Sequence, residues 1–244
     1  MVKKILVIYD PHLEDEISIP YKLVTRKFLP VYKPDEIILG GDFMSCTSLS
    51  HWMENMALEM EGKRYQKELD CAKREIKFLS ERTGKITWLE GNHENWVLQY
   101  VSRYPALQGM MSIDRNIDFK KYNVKWVPMN DLYRIGKHAH LYFTHGMYIN
   151  KYHAKTHMER LGCNIVYGHT HNAQTFQMNM RMQDPYMAYG IGCLCDMNQP
   201  YLKKRYPNWI HQFAIVEYTD TMFNVIPINI INNKFVYCGK EYKL

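Results

Sequence analysis

Five short apolar runs in this chain each end in Asp, Asn or His, and that recurrence limits its fold more than any other feature. Val2 to Tyr9 runs into Asp10-Pro11-His12, Glu36 to Leu39 into Gly40-Gly41-Asp42, and Ile86 to Leu89 into Gly91-Asn92-His93-Glu94. Leu141 to Thr144 then meets His145-Gly146, and Asn164 to Tyr167 meets Gly168-His169-Thr170-His171. Short apolar runs closed by Gly or a turn read as buried strands. A strand end carrying an amide, an imidazole and a carboxylate makes a poor core. It makes a good site, because ligands in open α/β sheets sit beyond the carboxyl ends of the strands. The pattern predicts five strand ends converging on one metal site.

Between these runs the chain alternates strands with helices. Residues 17–29 read as a helix with Pro20 near its start, and the β-α-β opening predicts a right-handed crossover and a parallel pair. Ser48 or Ser50 is a candidate cap for a helix carrying Trp52, Met53, Met56 and Met60, and Tyr65 to Glu81 forms the next. Asn95 to Leu107 reads as a helix, 108–123 as loop or cap, and His153 to Leu161 as a helix closed by Gly162. Strands are expected at Val124 to Val127, Leu132 to Ile135 and Ala139 to Thr144. From residue 174 onward strands follow one another, at 174–182, 186–192, 211–218, 222–228 and 234–238. With no repeat or flexible linker in view, the expectation is one domain over 1–244, with cap-like helical insertions around 44–84 and 95–123.

Composition narrows the class. Apolar residues make up 46% of 244, which supports a sizeable core and excludes a disordered chain. The N-terminal apolar run is short and flows straight into Asp10 and His12, unlike a signal peptide. No apolar stretch reaches the length of a membrane helix, so a cytoplasmic protein without a membrane partner is expected. The six cysteines lack zinc-finger or redox spacing and read as reduced, mostly buried thiols. A net charge of +6 suits a phosphate-bearing partner.

Asp10-x-His12, Gly41-Asp42, Gly91-Asn92-His93-Glu94, His145-Gly146 and Gly168-His169-x-His171 resemble, in this order, the calcineurin-like metallophosphoesterases. Taken singly, Asp10 and Asp42 read as caps or turn residues and Asn92 as a turn residue. Together they read as a site. The resemblance implies an α/β fold, a β-sandwich of two mixed sheets flanked by helices, with βαβ units first and a β-rich C-terminal part. Hydrolysing a phosphate ester needs a strong nucleophile and neutralisation of charge on attacking and leaving oxygens, which two divalent cations roughly 3.5–4 Å apart supply. Oxygen and imidazole donors without thiolate suit Mn first, with Fe, Ni or Zn as alternatives. By resemblance, one ion takes Asp10, His12, Asp42 and His171, and the other takes Asp42, Asn92, His145 and His169. Asp42 bridges, a hydroxide between the ions attacks phosphorus in line, and His93 protonates the leaving oxygen or binds the phosphoryl group. Glu94 fits the motif without a catalytic role.

Other residues bear on the substrate. After Gly41-Asp42 the chain reads Phe43-Met44-Ser45-Cys46, without the second Asp and the Arg of the protein serine/threonine phosphatase branch. Pro11 has no N–H to offer a phosphate. The Pro-bounded loop 200–209 alternates aromatics with Lys203, Lys204 and Arg205, a mixture that stacks bases and pairs phosphates, and equally a solvated surface loop. The expected substrate is a phosphodiester in DNA, RNA or a nucleotide. The alternatives are a phosphomonoester of a small molecule or protein, and last a non-catalytic scaffold of the same fold. His51, His138, His140 and His211 read as surface or satisfied core residues; His153 and His157, four apart on one helix face, are candidates for the rim.

Overall fold

The two-sided burial of β1 (Lys3–Ile8) organises a computed structural model of the chain, which describes residues 1–137, 140–179, 185–199, 202 and 207–244. Leu6 and Ile8 enter one apolar core and Ile5 and Val7 another, all fully buried. A strand buried on both faces sits inside a covered sheet. β1 pairs in parallel with β2 (Glu36–Leu39), β2 with β3 (Ile86–Leu89) and β3 with β4 (Val124–Val127).

The chain then crosses to a second sheet. It contains β5 (Tyr133–Ile135), β6 (Leu141–Phe143), β7 (Asn164–Tyr167), β8 (Gln174–Met178) and β9 (Tyr186–Gly190), in the order β5-β6-β7-β9-β8. β6, β7 and β9 are parallel, with antiparallel edges. β10 (Gln212–Tyr218) and β11 (Phe223–Asn229) return to the first sheet as antiparallel strands beside β1. The hairpin of β12 (Lys234–Tyr237) and β13 (Lys240–Lys243) closes the chain by packing Phe235 and Tyr242 on Phe28. Ile5, Val7, Phe143, Val166 and Val216 belong to the core shared by the two sheets. Helices cover the outer faces, giving two mixed sheets flanked by helices.

α1 (Ile19–Leu23) starts at Ser18, whose hydroxyl accepts the Tyr21 N–H at 3.2 Å. It continues through a π turn at Val24–Phe28 into α2 (Leu29–Tyr32). Pro30 has no N–H for the i→i−4 ladder, which accounts for the widened turn before it. The helix expected across Trp52 to Met60 is instead two 3₁₀ turns, Thr47–Leu49 and His51–Met53, followed by α3 (Ala57–Met60). Ser50 is extended (ψ 122°) between the turns, and no α3 residue is buried to hold a longer helix. α4 (Tyr65–Ser80) buries Leu69, Ala72, Ile76 and Leu79 in the outer layer of the first sheet.

α5 (Asn92–Arg103) begins three residues earlier than its periodicity predicts, and a 3₁₀ turn follows at Pro105–Leu107. The supposed loop 108–123 contains α6 (Ile113–Ile117), which buries Ile113 and Ile117. α7 (His153–Leu161) ends at Gly162, whose φ of 62° needs a residue without Cβ strain. Among the described residues no helix is long and apolar enough to cross a membrane.

Candidate metal centre

The loops leaving β1, β2, β3, β6 and β7 meet at one end of the sandwich. Their backbones are unusual. Asp10 (φ 50°), His12 (45°), Asp42 (47°), His169 (68°) and His171 (56°) all lie in the left-handed region, which non-glycine residues seldom occupy. Strain of this kind persists where the surroundings over-determine it, and functional sites collect it. One such determinant is Tyr9, fully buried between the sheets, whose hydroxyl donates to Thr144 O (3.0 Å) and Val166 O (2.9 Å). It pins the end of β1 to the ends of β6 and β7. The motif glycines allow close approach: a Cβ on Gly91 would stand 2.1 Å from Asp42 Oδ1, and one on Gly41 2.3 Å from His145 Nδ1.

The side chains form two adjoining groups. Asp10, His12 and His171 lie within ligand distance of one another: His12 Nε2 and His171 Nε2 are 3.1 Å apart, and His171 Nε2 is 3.5 Å from Asp10 Oδ1. Asp42, His145 and His169 form the second, with His145 Nε2 3.4 Å from Asp42 Oδ2 and 3.1 Å from Asn92 Oδ1. Asp42 Oδ2 also lies 3.8 Å from His12 Nε2, so this one carboxylate faces both groups. His93 Nε2, 3.7 Å from Asp42 Oδ2, makes a further group with His12 and Asp42.

A metal fits here. Asp10 Oδ1 is buried and makes no well-placed hydrogen bond among the described residues, facing only His171 Nε2 at 3.5 Å, while Oδ2 accepts the His169 N–H at 2.9 Å. A buried carboxylate oxygen left with no hydrogen bond is costly unless a cation meets it. The charges agree. Burial works against the Asp42 anion, yet His145, His93 and His12 hold its carboxyl well below the ordinary range. Burial likewise opposes charge on His145, but the Asp42 carboxylate outweighs it and pushes the ring up to about 9. His171 is pushed up to about 10, with Asp10 overcoming burial. His12, His93 and His169 are instead lowered, by burial first. Two buried carboxylates thus draw positive charge into the site, met in the absence of metal by protons on His145 and His171 and equally open to divalent cations.

A second layer orients these donors. His145 Nδ1–H donates to Gly40 O (3.0 Å) and His93 Nδ1–H to Ser45 O (2.5 Å), which turns each Nε2 into the cleft. Asp42 Oδ1 accepts the His93 N–H in the first turn of α5 (2.9 Å). Glu94, given no role from sequence, accepts three backbone N–H groups from Asp42, Met44 and Gly91, each at 2.9 Å. The Gly91-x-x-Glu94 spacing at a helix start was its signal. Burial and then the Asp42 charge push Glu94 up to about 8, against the Met44 and Gly91 N–H groups. Cys193 and Cys195, buried free thiols as expected, lie behind His171, whose Nδ1 is 4.0 Å from Cys195 Sγ.

Of the histidines thought to border the site, His153 and His157 are buried, not at a rim. His157 donates from Nδ1 to His153 O (2.8 Å) and accepts the Met147 N–H at Nε2 (2.9 Å), which braces the loop after His145. His211 Nε2 donates to Cys195 O at 2.9 Å, and His140 is exposed. His138, Lys203, Lys204 and Arg205 lie outside the described residues. A cleft of about 480 Å³ opens over the site's donor atoms, with Met53, Met56, Trp96 and Trp209 among its walls. Met53 and Met56 come from the apolar stripe noted at helical spacing, Trp96 from the next expected helix and Trp209 from the end of the loop 200–209; their meeting around one cleft had no local signal.

No curated protein matches the sequence. Vacuolar protein sorting 29 from Cryptosporidium parvum is 15% identical over 98% of this chain and 94% of its own, with a TM-score of 0.50. Vps29 from Chaetomium thermophilum is 11% identical over 94% of this chain and 92% of its own, also with a TM-score of 0.50. Nuclease MPE from Pseudomonas putida is 13% identical over 86% and 83%, with a TM-score of 0.37. At such identities the two Vps29 structures speak for the fold alone. The family model for calcineurin-like phosphoesterases matches residues 3–173, more than half of the sequence and every strand end described above. The chain belongs to the calcineurin-like phosphoesterase family.

Proposed function

We propose that this protein is a divalent-metal-dependent phosphoesterase that holds two ions, Mn first among them, and hydrolyses phosphodiesters of nucleic acid or nucleotides. The observation that carries the reading is Asp42, whose Oδ2 stands 3.8 Å from His12 and 3.4 Å from His145, between the two donor groups. Asp10, His12, Asp42 and His171 are assigned to one ion, and Asp42, Asn92, His145 and His169 to the other. Two such ions, when bound, neutralise charge on the attacking and leaving oxygens of an in-line displacement. His93 is assigned to the leaving oxygen. The Ser45 carbonyl fixes its ring and stabilises the doubly protonated form that donation from Nε2 requires.

The test is hydrolysis of bis-p-nitrophenyl phosphate and p-nitrophenyl phosphate by purified protein with Mn²⁺, alongside its metal content. The expected result is turnover with a preference for the diester, lost with chelator and restored by Mn²⁺. A second reading, a non-catalytic scaffold of the same fold, is opposed by the Asp and His donors brought together here. Absence of turnover on either ester, together with absence of bound metal, would select it.

A further inference from the structure

Three of the site's imidazoles, those of His93, His12 and His171, belong to a continuous row of five rings. Trp96 lies against His93 (centroids 3.9 Å apart, tilted 33°), His93 meets His12 at 4.4 Å, and His12 meets His171 at 5.1 Å. Trp209 closes the row, 4.3 Å from His171. An indole therefore flanks each end of the site. Both indoles are half-buried and line the cleft, together with the thioethers of Met53 and Met56. Thr47 and Ser50 add two hydroxyls. A scissile phosphate needs none of this apolar surface. A flat apolar group esterified to that phosphate does.

The volume limits what such a group can be. At about 480 Å³ the cleft lies towards the lower end of the roughly 300–1,000 Å³ usual for small-molecule sites, which suits one nucleotide and not a duplex. The neighbouring cavity past His12, about 690 Å³, is lined by Glu14, Asp15, Glu16 and Asp196. Its Lys63 and Lys67 are already paired with Glu14 and Asp15. A polyanion is repelled on that side. Ester arms are thereby directed along the aromatic row.

We infer that Trp96 and Trp209, walled by Met53 and Met56, select phosphodiesters whose ester arm carries an unpaired nucleobase, which stacks on an indole while the phosphate sits at the metal-facing side chains. This rests on the phosphoesterase reading above. Indoles accept any base face, so the selection is for a base and against a small alkyl arm, with little sequence preference.

The test compares two diesters with the same leaving group, thymidine 5′-(p-nitrophenyl) phosphate and methyl p-nitrophenyl phosphate, with Mn²⁺. Stacking predicts a kcat/KM about 10-fold or more higher for the thymidyl ester. In Trp209→Leu and Trp96→Leu proteins that ratio should fall towards one. Independently of any variant, thymidine 5′-monophosphate should quench the wild-type tryptophan fluorescence where ribose 5-phosphate at equal concentration does not. Equal kcat/KM for the two diesters in the wild-type protein overturns the assignment of the cleft and leaves the phosphoesterase reading standing. Turnover of neither, with no metal bound, overturns both.

Discussion

The carboxylate of Glu94 accepts the backbone N–H of Asp42 at 2.9 Å, and it ties the neighbouring Met44 and Gly91 N–H groups into the same knot. One buried side chain thus holds two of the five strand-end loops in register. Glu94→Gln keeps the shape but turns an NH₂ towards a backbone N–H. A buried donor facing a donor costs about 1–3 kcal/mol, so this variant should unfold at lower temperature. Loss of a group that orients ligands typically weakens metal binding about 10–100-fold. Calorimetric titration with Mn²⁺ checks the second effect. Wild-type affinity in a folded variant would remove Glu94 from the support of the site.

His157 contributes to the acid limb of the stability curve. Burial, and next the His153 ring charge, lower it to about 4, although the His153 carbonyl pulls the other way. Its unfolded value is near 6.5. The unfolded chain therefore takes up this proton first. The stability contributed by neutral His157 is complete above about pH 6.5 and is lost as pH falls through 4, with a slope of up to about 1.4 kcal/mol per pH unit. His157→Gln, which retains an acceptor for the Met147 N–H, should flatten that limb in urea unfolding from pH 7 down to pH 4. An unchanged slope would mean that His157 is charged in the native protein.

Glu68 has the opposite sign. It is buried in α4 with neither oxygen making a well-placed hydrogen bond among the described residues. Burial first, then Glu14, push it up to about 8, against the Cys46 and Ser48 N–H groups and Lys63. A raised carboxyl holds its proton in the folded state. Its stability is complete below about pH 4.5 and is lost as pH rises towards 8. Glu68→Gln should match the wild type near pH 4.5 and exceed it in stability by a few kcal/mol above pH 8. A pH-independent difference between the two would contradict this.

The parts of the molecule that can be read in the sequence are those where residue type leaves one choice of burial, or where polar residues follow such a run with no place in a core. Ile5-Leu6-Val7-Ile8 has no polar face and so declares a central strand. Asp10, Asp42 and His145 follow such strands where a core has no use for them. The Trp52–Met60 stripe misleads because apolar spacing alone does not force a helix: Ser50 is extended, and nothing buries α3. α5 hides its start because Gly91-Asn92-His93-Glu94 has turn chemistry and helical geometry together. Trp209 reaches His171 from another segment, a contact that depends on tertiary packing and leaves no local period.

Asp42 and His93 separate metal binding from proton transfer. Both touch the same place, with His93 Nε2 3.7 Å from Asp42 Oδ2, so geometry alone assigns either to metal. Asp42→Asn keeps the shape and removes the charge that faces both donor groups. It should lower bound Mn²⁺ at both positions and reduce kcat/KM by several orders of magnitude. His93→Ala removes a ring that the Ser45 carbonyl turns into the cleft but that the assigned donor sets do not need. It should retain two equivalents of metal and lose kcat by about 10²–10⁴-fold, the usual span for a positioned acid or base. The loss should be steepest for esters with poor leaving groups, because a good leaving oxygen departs without a proton. Metal content by mass spectrometry and kcat against leaving-group pKa decide between the roles. If His93→Ala loses an ion, the ring is a ligand; if its kcat falls equally for good and poor leaving groups, it binds the phosphoryl group instead.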